Sequence, residues 1–511
     1  MSRMPVVAAI AVVALVLGCG GPATSSAPSE PLPSATTTPS VLSSHTGAVD
    51  ARLLDGQPMR ACSLHGRAAL CGKLAVAEDP DDPSGRKIDL NVAVIPARDP
   101  DPEPDPLFML AGGPGGAAIE SFGWSFSTFS ALNATRDFVL VDQRGTGGSN
   151  RLVSPTPPDV TGMDEPTRDS TIKAWVADTL AALPGDPRFY TTSVAMDDLD
   201  AVRAALGYDR INLYGPSYGA TAAQYYLRQH EEHVRAVVLD GGTLLDVPIF
   251  ERIAASSQRA LDLLFSRCAA DPACQAAFPD LESEFNAIVA RLAKEPVSTS
   301  ITHPGTGDPI VFDPTTFASG VHSALVDASI SSRLPALIHL AFLEQWDAVS
   351  QAIVEATAGQ AAGEDQLVMS TIIRCSEAWA RYDPAEVERV GAGSYSLDLQ
   401  LAGARSQAET CRYAPRGIVP ADDAEPVRSD VPVLLVLGEA DPQDPPANVE
   451  DAPEELPNSL TVVVPGMGHT VGHLGCMPSI IVDFFEAGSV DGLDVSCAAT
   501  GVPVPPFWIP N

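Results

Sequence analysis

Ile211-Asn212-Leu213-Tyr214-Gly215-Pro216-Ser217-Tyr218-Gly219 is the stretch on which the fold turns. An apolar run enters a G-x-S-x-G motif, and a helix-like run follows from Thr221 to His230. Strand, tight turn and helix in that order read as an elbow that presents a nucleophile. Its glycines stand where a Cβ would clash, and the turn thrusts the Ser217 hydroxyl out of the backbone.

Serine alone is a poor nucleophile. It needs a base for its proton and a carboxylate to hold that base in the right tautomer. Both follow downstream, each after an apolar strand. Val433-Leu434-Leu435-Val436-Leu437 leads into Gly438-Glu439-Ala440-Asp441-Pro442, and Leu460-Thr461-Val462-Val463-Val464 into Pro465-Gly466-Met467-Gly468-His469. Asp441 and His469 therefore leave the carboxyl ends of strands, where open sheets of this kind place their ligands. Ser217 is the expected nucleophile, His469 the general base and then acid, and Asp441 the group that orients it. Asp441 alone could equally be a turn aspartate before proline. Glu439 and Asp444 are rival carboxylates in the same turn. His473 gives His469 a zinc-like spacing, but the glutamate that zincins place after the first histidine is absent, and Gly472 disfavours a helix there. No metal is expected.

An oxyanion hole needs preorganised N–H donors. Leu107-Phe108-Met109-Leu110 is a strand, and Ala111-Gly112-Gly113-Pro114-Gly115-Gly116 follows it. The expected donors are the backbone N–H groups of Gly113 and of Tyr218, the residue after the nucleophile. A phosphate cradle would want Lys-Ser or Lys-Thr after the glycines, where Ala117-Ala118 stands.

These motifs, with Val141-Asp142-Gln143-Arg144-Gly145-Thr146-Gly147-Gly148-Ser149 and the run Asp197 to Gly207, resemble the proline iminopeptidase and tripeptidyl aminopeptidase family of serine peptidases. The resemblance covers roughly residues 60–500. It implies an α/β-hydrolase fold with a helical cap. Members often carry a histidine where this chain has Ala111. That residue is outside the triad, and the match is closer to the secreted tripeptidyl aminopeptidase branch. Related enzymes carry an acidic residue two positions after a cap cysteine. This implies Glu377, beside Cys375, as the group that holds a substrate amino terminus; an ordinary solvated helix glutamate is the plainer alternative.

The element pattern agrees. Strands at Leu90–Val94, Phe138–Val141 and Ala236–Asp240 alternate with helical stretches, which implies a mostly parallel, doubly wound α/β sheet. From 246 to 428 the period turns helical, notably over Ile253–Phe265, Phe285–Leu292 and Leu334–Ile353. The expected division is core 49–245, cap 246–428 and core 429–511. Asp240, at the end of its strand, could be a structural cap beneath the site.

Arg3 precedes an apolar run, Val6 to Leu17, that suits a signal peptide over 1–18. Val16-Leu17-Gly18-Cys19 resembles a lipobox, which implies lipidation at Cys19; Leu17 is uncommon at its position, and a periplasmic or secreted protein is the alternative. Residues 19–48 are a Ser/Pro/Thr-rich tether with too little apolar surface for a core. The remaining cysteines are Cys62, Cys71, Cys268, Cys274, Cys375, Cys411, Cys476 and Cys497. Pairing sequential neighbours gives four disulfides, in keeping with export.

Net charge is −34. A polyanion is repelled by nucleic acid and by anionic membranes, so nucleic acid is excluded and membrane contact is expected by the lipid anchor only. The expected function is cofactor-free hydrolysis of short peptides from the amino terminus in the cell envelope. A carboxylesterase and a catalytically inactive binding protein on the same scaffold are the alternatives.

Overall fold

The computed structural model describes residues 52–510, apart from 124–127, 161–162, 304–306 and 358–363. The signal segment, Cys19 and the tether lie outside the described residues.

Nine strands form the main sheet: β1 (Arg60–Leu64), β2 (Arg67–Ala77), β3 (Lys87–Ile95), β4 (Leu107–Met109), β5 (Phe138–Val141), β6 (Ile211–Pro216), β7 (Val234–Asp240), β8 (Val433–Gly438) and β9 (Ser459–Val464). Their order in space is β9-β8-β7-β6-β4-β5-β3-β2-β1. β4 to β9 run parallel, while β1 to β3 add antiparallel pairs at one edge. Every residue of β4, β5, β6 and β8 is buried, as parallel strands covered on both faces must be. Alternate side chains enter two different cores. Leu213, Val237 and Leu435 face one, and Tyr214, Val238 and Val436 the other.

The helices that position the site are α1 (Thr192–Leu206), α2 (Tyr218–Gln229), α3 (Ile249–Ala270), α4 (Pro314–Val326), α5 (Glu364–Ile373), α6 (Leu397–Cys411) and α7 (Met477–Ala487). α3 to α6 lie in the segment between β7 and β8. That segment has an apolar cluster of its own, which includes Leu261, Leu264, Phe285, Phe317 and Trp346. It also holds an antiparallel strand pair, Val297–Thr302 with Pro309–Phe312, absent from the sequence expectation. The single helix expected over Leu334–Ile353 is two, Leu334–Phe342 and Trp346–Thr357. Glu344 between them adopts φ +62°, outside the right-handed helical region.

The four disulfides are the sequential ones, Cys62–Cys71, Cys268–Cys274, Cys375–Cys411 and Cys476–Cys497. Past Cys497 the chain crosses from sheet to insertion. Val502 and Val504 pack on the sheet's core, while Phe507 and Ile509 pack on the inserted cluster. Trp508 N–H donates to Ser332 O at 3.0 Å, and the Arg267 guanidinium lies 5.0 Å from the Phe507 ring centroid.

Candidate active site

β6 runs two residues further than the apolar pattern indicates, into the motif itself, and α2 begins directly after Ser217. Ser217 sits at φ 56°, ψ −128°. That backbone shape costs energy for a residue with a Cβ and persists only where the surroundings impose it. They do. Ser217 N–H donates to Asp240 O at 2.8 Å. A Cβ on Gly215 would lie 2.2 Å from Gly219 O, and one on Gly219 would lie 2.4 Å from Leu110 O. The turn closes only with glycine at both places.

Parallel register brings the other loops level with this elbow. Pro216 pairs with Asp240, Val436 with Asp240, and Gly438 with Val464. The segments after β6, β7, β8 and β9 therefore emerge at one edge of the sheet. There His469 Nδ1 lies 2.7 Å from Asp441 Oδ2. Both side chains are shut away from solvent, at 1% and 0% exposure. Asp441 Oδ1 also accepts from the N–H groups of Gln443, at 2.8 Å, and Asp444, at 3.0 Å. Burial alone would raise the Asp441 carboxyl, but the His469 charge, the hydrogen bond to His469 and the two N–H donors outweigh it and hold Asp441 below the ordinary range.

The rival carboxylates have other places. Glu439 accepts from Gly466 N–H at 2.8 Å and so ties the β8 turn to the β9 turn. Asp444 stands 3.7 Å from His469 Nδ1. Asp441, Asp444 and His469 form a cluster whose ligand-type atoms lie within 4.8 Å of one another, and His473 is not part of it. Two ligands of one tetrahedral zinc, each at about 2.0–2.2 Å, stand roughly 3.3–3.5 Å apart. The 2.7 Å contact is shorter than that and is a hydrogen bond. Asp240 holds β6 and the histidine loop together. Its carboxylate accepts from Tyr214 OH at 2.6 Å and from the N–H groups of Val471 and Gly472 at 2.7 and 3.0 Å.

The glycine loop lies against the elbow. A Cβ on Gly112 would be 3.3 Å from Ser217 Cβ, and Gly113 adopts φ +124°. Leu110 N–H donates to Tyr214 O at 2.9 Å and holds the loop's root to β6. α5 covers the loop from above, since a Cβ on Gly115 would come 2.8 Å from Gln366 O. α4 meets the histidine loop, where His469 N–H donates to Val326 O at 2.8 Å.

Glu377 is not the solvated helix glutamate of the plainer alternative. It is buried within a π-helical turn, Arg374–Ala378, at the end of α5. Its Oε1 accepts from Thr192 N–H at 2.7 Å and its Oε2 from Thr192 Oγ1 at 2.8 Å, at the N-terminus of α1. Thr192 Oγ1 is also 2.7 Å from Tyr218 OH, to which Gln143 Nε2 donates at 3.2 Å. The inserted segment is thus wired through one threonine to Tyr218, the residue after Ser217. Burial pushes the Glu377 carboxyl up to about 8.

Thr192 and His322 were not among the residues singled out from the sequence. His322, on α4, is buried with its Nδ1 2.6 Å from Ser257 Oγ of α3. Burial, with some repulsion from His469, lowers His322 to about 4 against the pull of Asp441, so it is neutral at neutral pH. A threonine pair before an amphipathic helix does signal a helix start. Nothing in the local sequence of His322 points to the site, because only tertiary packing brings it there.

The chain belongs to the alpha/beta hydrolase fold family, whose pattern matches residues 105–475. It is similar to the serine protease Hip1 of Mycobacterium tuberculosis, 30% identical over 224 residues that make up 40% of this chain and 42% of that protein. It is also similar to a tripeptidyl aminopeptidase of Streptomyces coelicolor, 29% identical over 197 residues, 33% of this chain and 34% of that one. The match therefore spans less than half the length of either relative. Among solved structures, the proline iminopeptidase of Mycobacterium smegmatis aligns with TM-score 0.35 and 15% identity over 82% of this chain and 98% of its own.

Proposed function

We propose that the protein is an exported serine peptidase that removes short peptides from the amino terminus of its substrates. Ser217 is the nucleophile, His469 the base and Asp441 its orienting acid. The observation that carries this reading is the buried 2.7 Å hydrogen bond between His469 and Asp441, at the same sheet edge as the strained Ser217 elbow. Asp441 fixes the imidazole with its proton on Nδ1, which leaves Nε2 to take the hydroxyl proton. The Ser217 oxygen then attacks the scissile carbonyl. The oxyanion is met by the N–H groups of Gly113 and Tyr218, each contributing about 3–4 kcal/mol of transition-state stabilisation. His469 passes its proton to the leaving amine, and a water activated by the same imidazole releases the acyl group.

The similarity to Hip1 and to the tripeptidyl aminopeptidase favours a peptide over other acyl substrates. Glu377 supports an amino-terminal mode of attack. Burial disfavours its bare anion, so a substrate ammonium placed beside it would restore the charge and gain a charge-assisted bond. The four disulfides support an oxidising compartment. Among the described residues no helix is long and apolar enough to cross a membrane. The lipobox-like Val16-Leu17-Gly18-Cys19 supports attachment through Cys19.

A fluorophosphonate probe should label the wild-type chain and fail on Ser217→Ala. Tripeptidyl p-nitroanilides with a free amino terminus should turn over much faster than the same compounds N-blocked. Turnover of p-nitrophenyl esters with none of any p-nitroanilide would replace the peptidase by a carboxylesterase. No labelling of wild type would leave a binding protein.

A further inference from the structure

The turn after β8 brings a second acid to the histidine. Asp444 Oδ2 lies 3.7 Å from His469 Nδ1, the nitrogen that Asp441 already holds. Asp444 is itself buried, 6% exposed. It is fastened from two sides. Its N–H donates to Asp441 Oδ1 at 3.0 Å, and its Oδ1 accepts from Thr243 Oγ1, which in turn accepts from Asn448 Nδ2 at 2.9 Å. A carboxyl group is costly to bury, and here two neutral dipoles are spent on aiming it at one imidazole.

The charged and titratable neighbours are few. Asp441 and His469 face Asp444 from the β8 and β9 turns. His322, on α4, interacts with both of them and is neutral. Thr243 and Asn448 bring only dipoles. Burial first, and then the Asp441 charge, push the Asp444 carboxyl up to about 7, against the pull of His469 and Thr243.

We propose that Asp444 is a second positioning residue for His469, steadying the imidazolium that forms when Ser217 gives up its proton, and that it acts only when ionised. This rests on the reading of Ser217 and His469 as nucleophile and base. The proton balance is simple. The Ser217 proton moves to His469 Nε2, the Nδ1 proton stays on His469 in its hydrogen bond to Asp441, and none leaves Asp444 during the step.

The proposal has a pH signature. At low pH the Asp444 carboxyl keeps its proton and brings no charge to His469, so it acts as an asparagine would. At high pH His469 starts neutral and becomes cationic only in the transition state, so the charge then accelerates the step. The readout is the rate of fluorophosphonate labelling of Ser217 against pH, in the full chain, which needs no knowledge of the substrate. Asp444→Asn should match wild type near about pH 5 and fall about tenfold behind above about pH 8. Thr243→Val removes a hydrogen bond that lowers Asp444, so the same gain should appear at higher pH than in wild type. A ratio of wild type to Asp444→Asn that is flat across pH, or equal to one throughout, overturns the proposal and leaves the Ser217 reading intact. If Asp444→Asn does not fold, as read by circular dichroism, an unshifted Thr243→Val curve overturns it. A wild-type chain that is not labelled at all ends both.

Discussion

Ser217 and Glu377 are each held in a state that an isolated residue would leave. For Ser217 the state is a backbone twist, imposed by an elbow with no room for side chains on its glycines. Gly215→Ala should cost about 3 kcal/mol or more, measured by denaturant unfolding, because the added carbon meets backbone and not a side chain that can move. For Glu377 the state is a retained proton. Its carboxyl sits at about 8 in the folded chain against an ordinary 4.5. Between those values the folded protein holds a proton that the unfolded chain has lost, so stability falls as pH rises, by up to about 1.4 kcal/mol per pH unit. Asp444 slopes the same way over part of that window. Glu377→Gln should remove its own share, and unfolding curves at about pH 5 and 8 should lie closer together in the variant than in wild type.

At the scale of elements, the strands that carry the chemistry were legible. β4, β5, β6 and β8 are unbroken apolar runs that end in glycine-rich or acidic turns, and such runs read the same way buried or in print. What was not legible has physical causes. β1 and β2 form an edge hairpin whose residues are mostly exposed or half-buried, with small apolar side chains on both faces, so alternation is weak, and only the Cys62–Cys71 pair hinted at their closeness. The break at Leu343-Glu344-Gln345 lies inside a continuous apolar period and carries no proline or glycine to announce it. The Ser217, Asp441 and His469 assignment could be made because each follows its own strand. The link from Glu377 through Thr192 to Tyr218 could not, because it joins three elements distant in sequence. The π turn that carries Glu377 is itself tied to α6 by Cys375–Cys411, with 36 residues of separation. Replacing both cysteines by serine should cost about 3–4 kcal/mol on the chain-entropy scale. It should also raise KM for free-amino-terminal peptides more than it lowers the rate of fluorophosphonate labelling, since Glu377 loses its anchor while the triad keeps its own.

Across the whole molecule the dominant number is the net charge, −34 with an isoelectric point near 4.4. Like charges at this density oppose compaction and are screened over a Debye length of about 10 Å at 0.1 M salt. The melting temperature at neutral pH should therefore rise between about 10 mM and 200 mM sodium chloride. An unchanged melting temperature would mean that the acids are spaced widely enough to ignore one another. The closing stretch of the chain bears on a different question. Residues 502–509 leave the sheet's core and finish on the inserted helical layer, where Trp508 bonds Ser332. The roof over Ser217 is thus joined to the walls where the chain enters it, where the chain leaves it, and by this third rope. A roof tethered in that way resists swinging aside for bulky visitors. On the proposed peptidase reading, folded proteins should be turned away at the door and a loose chain end, slim enough to thread, admitted.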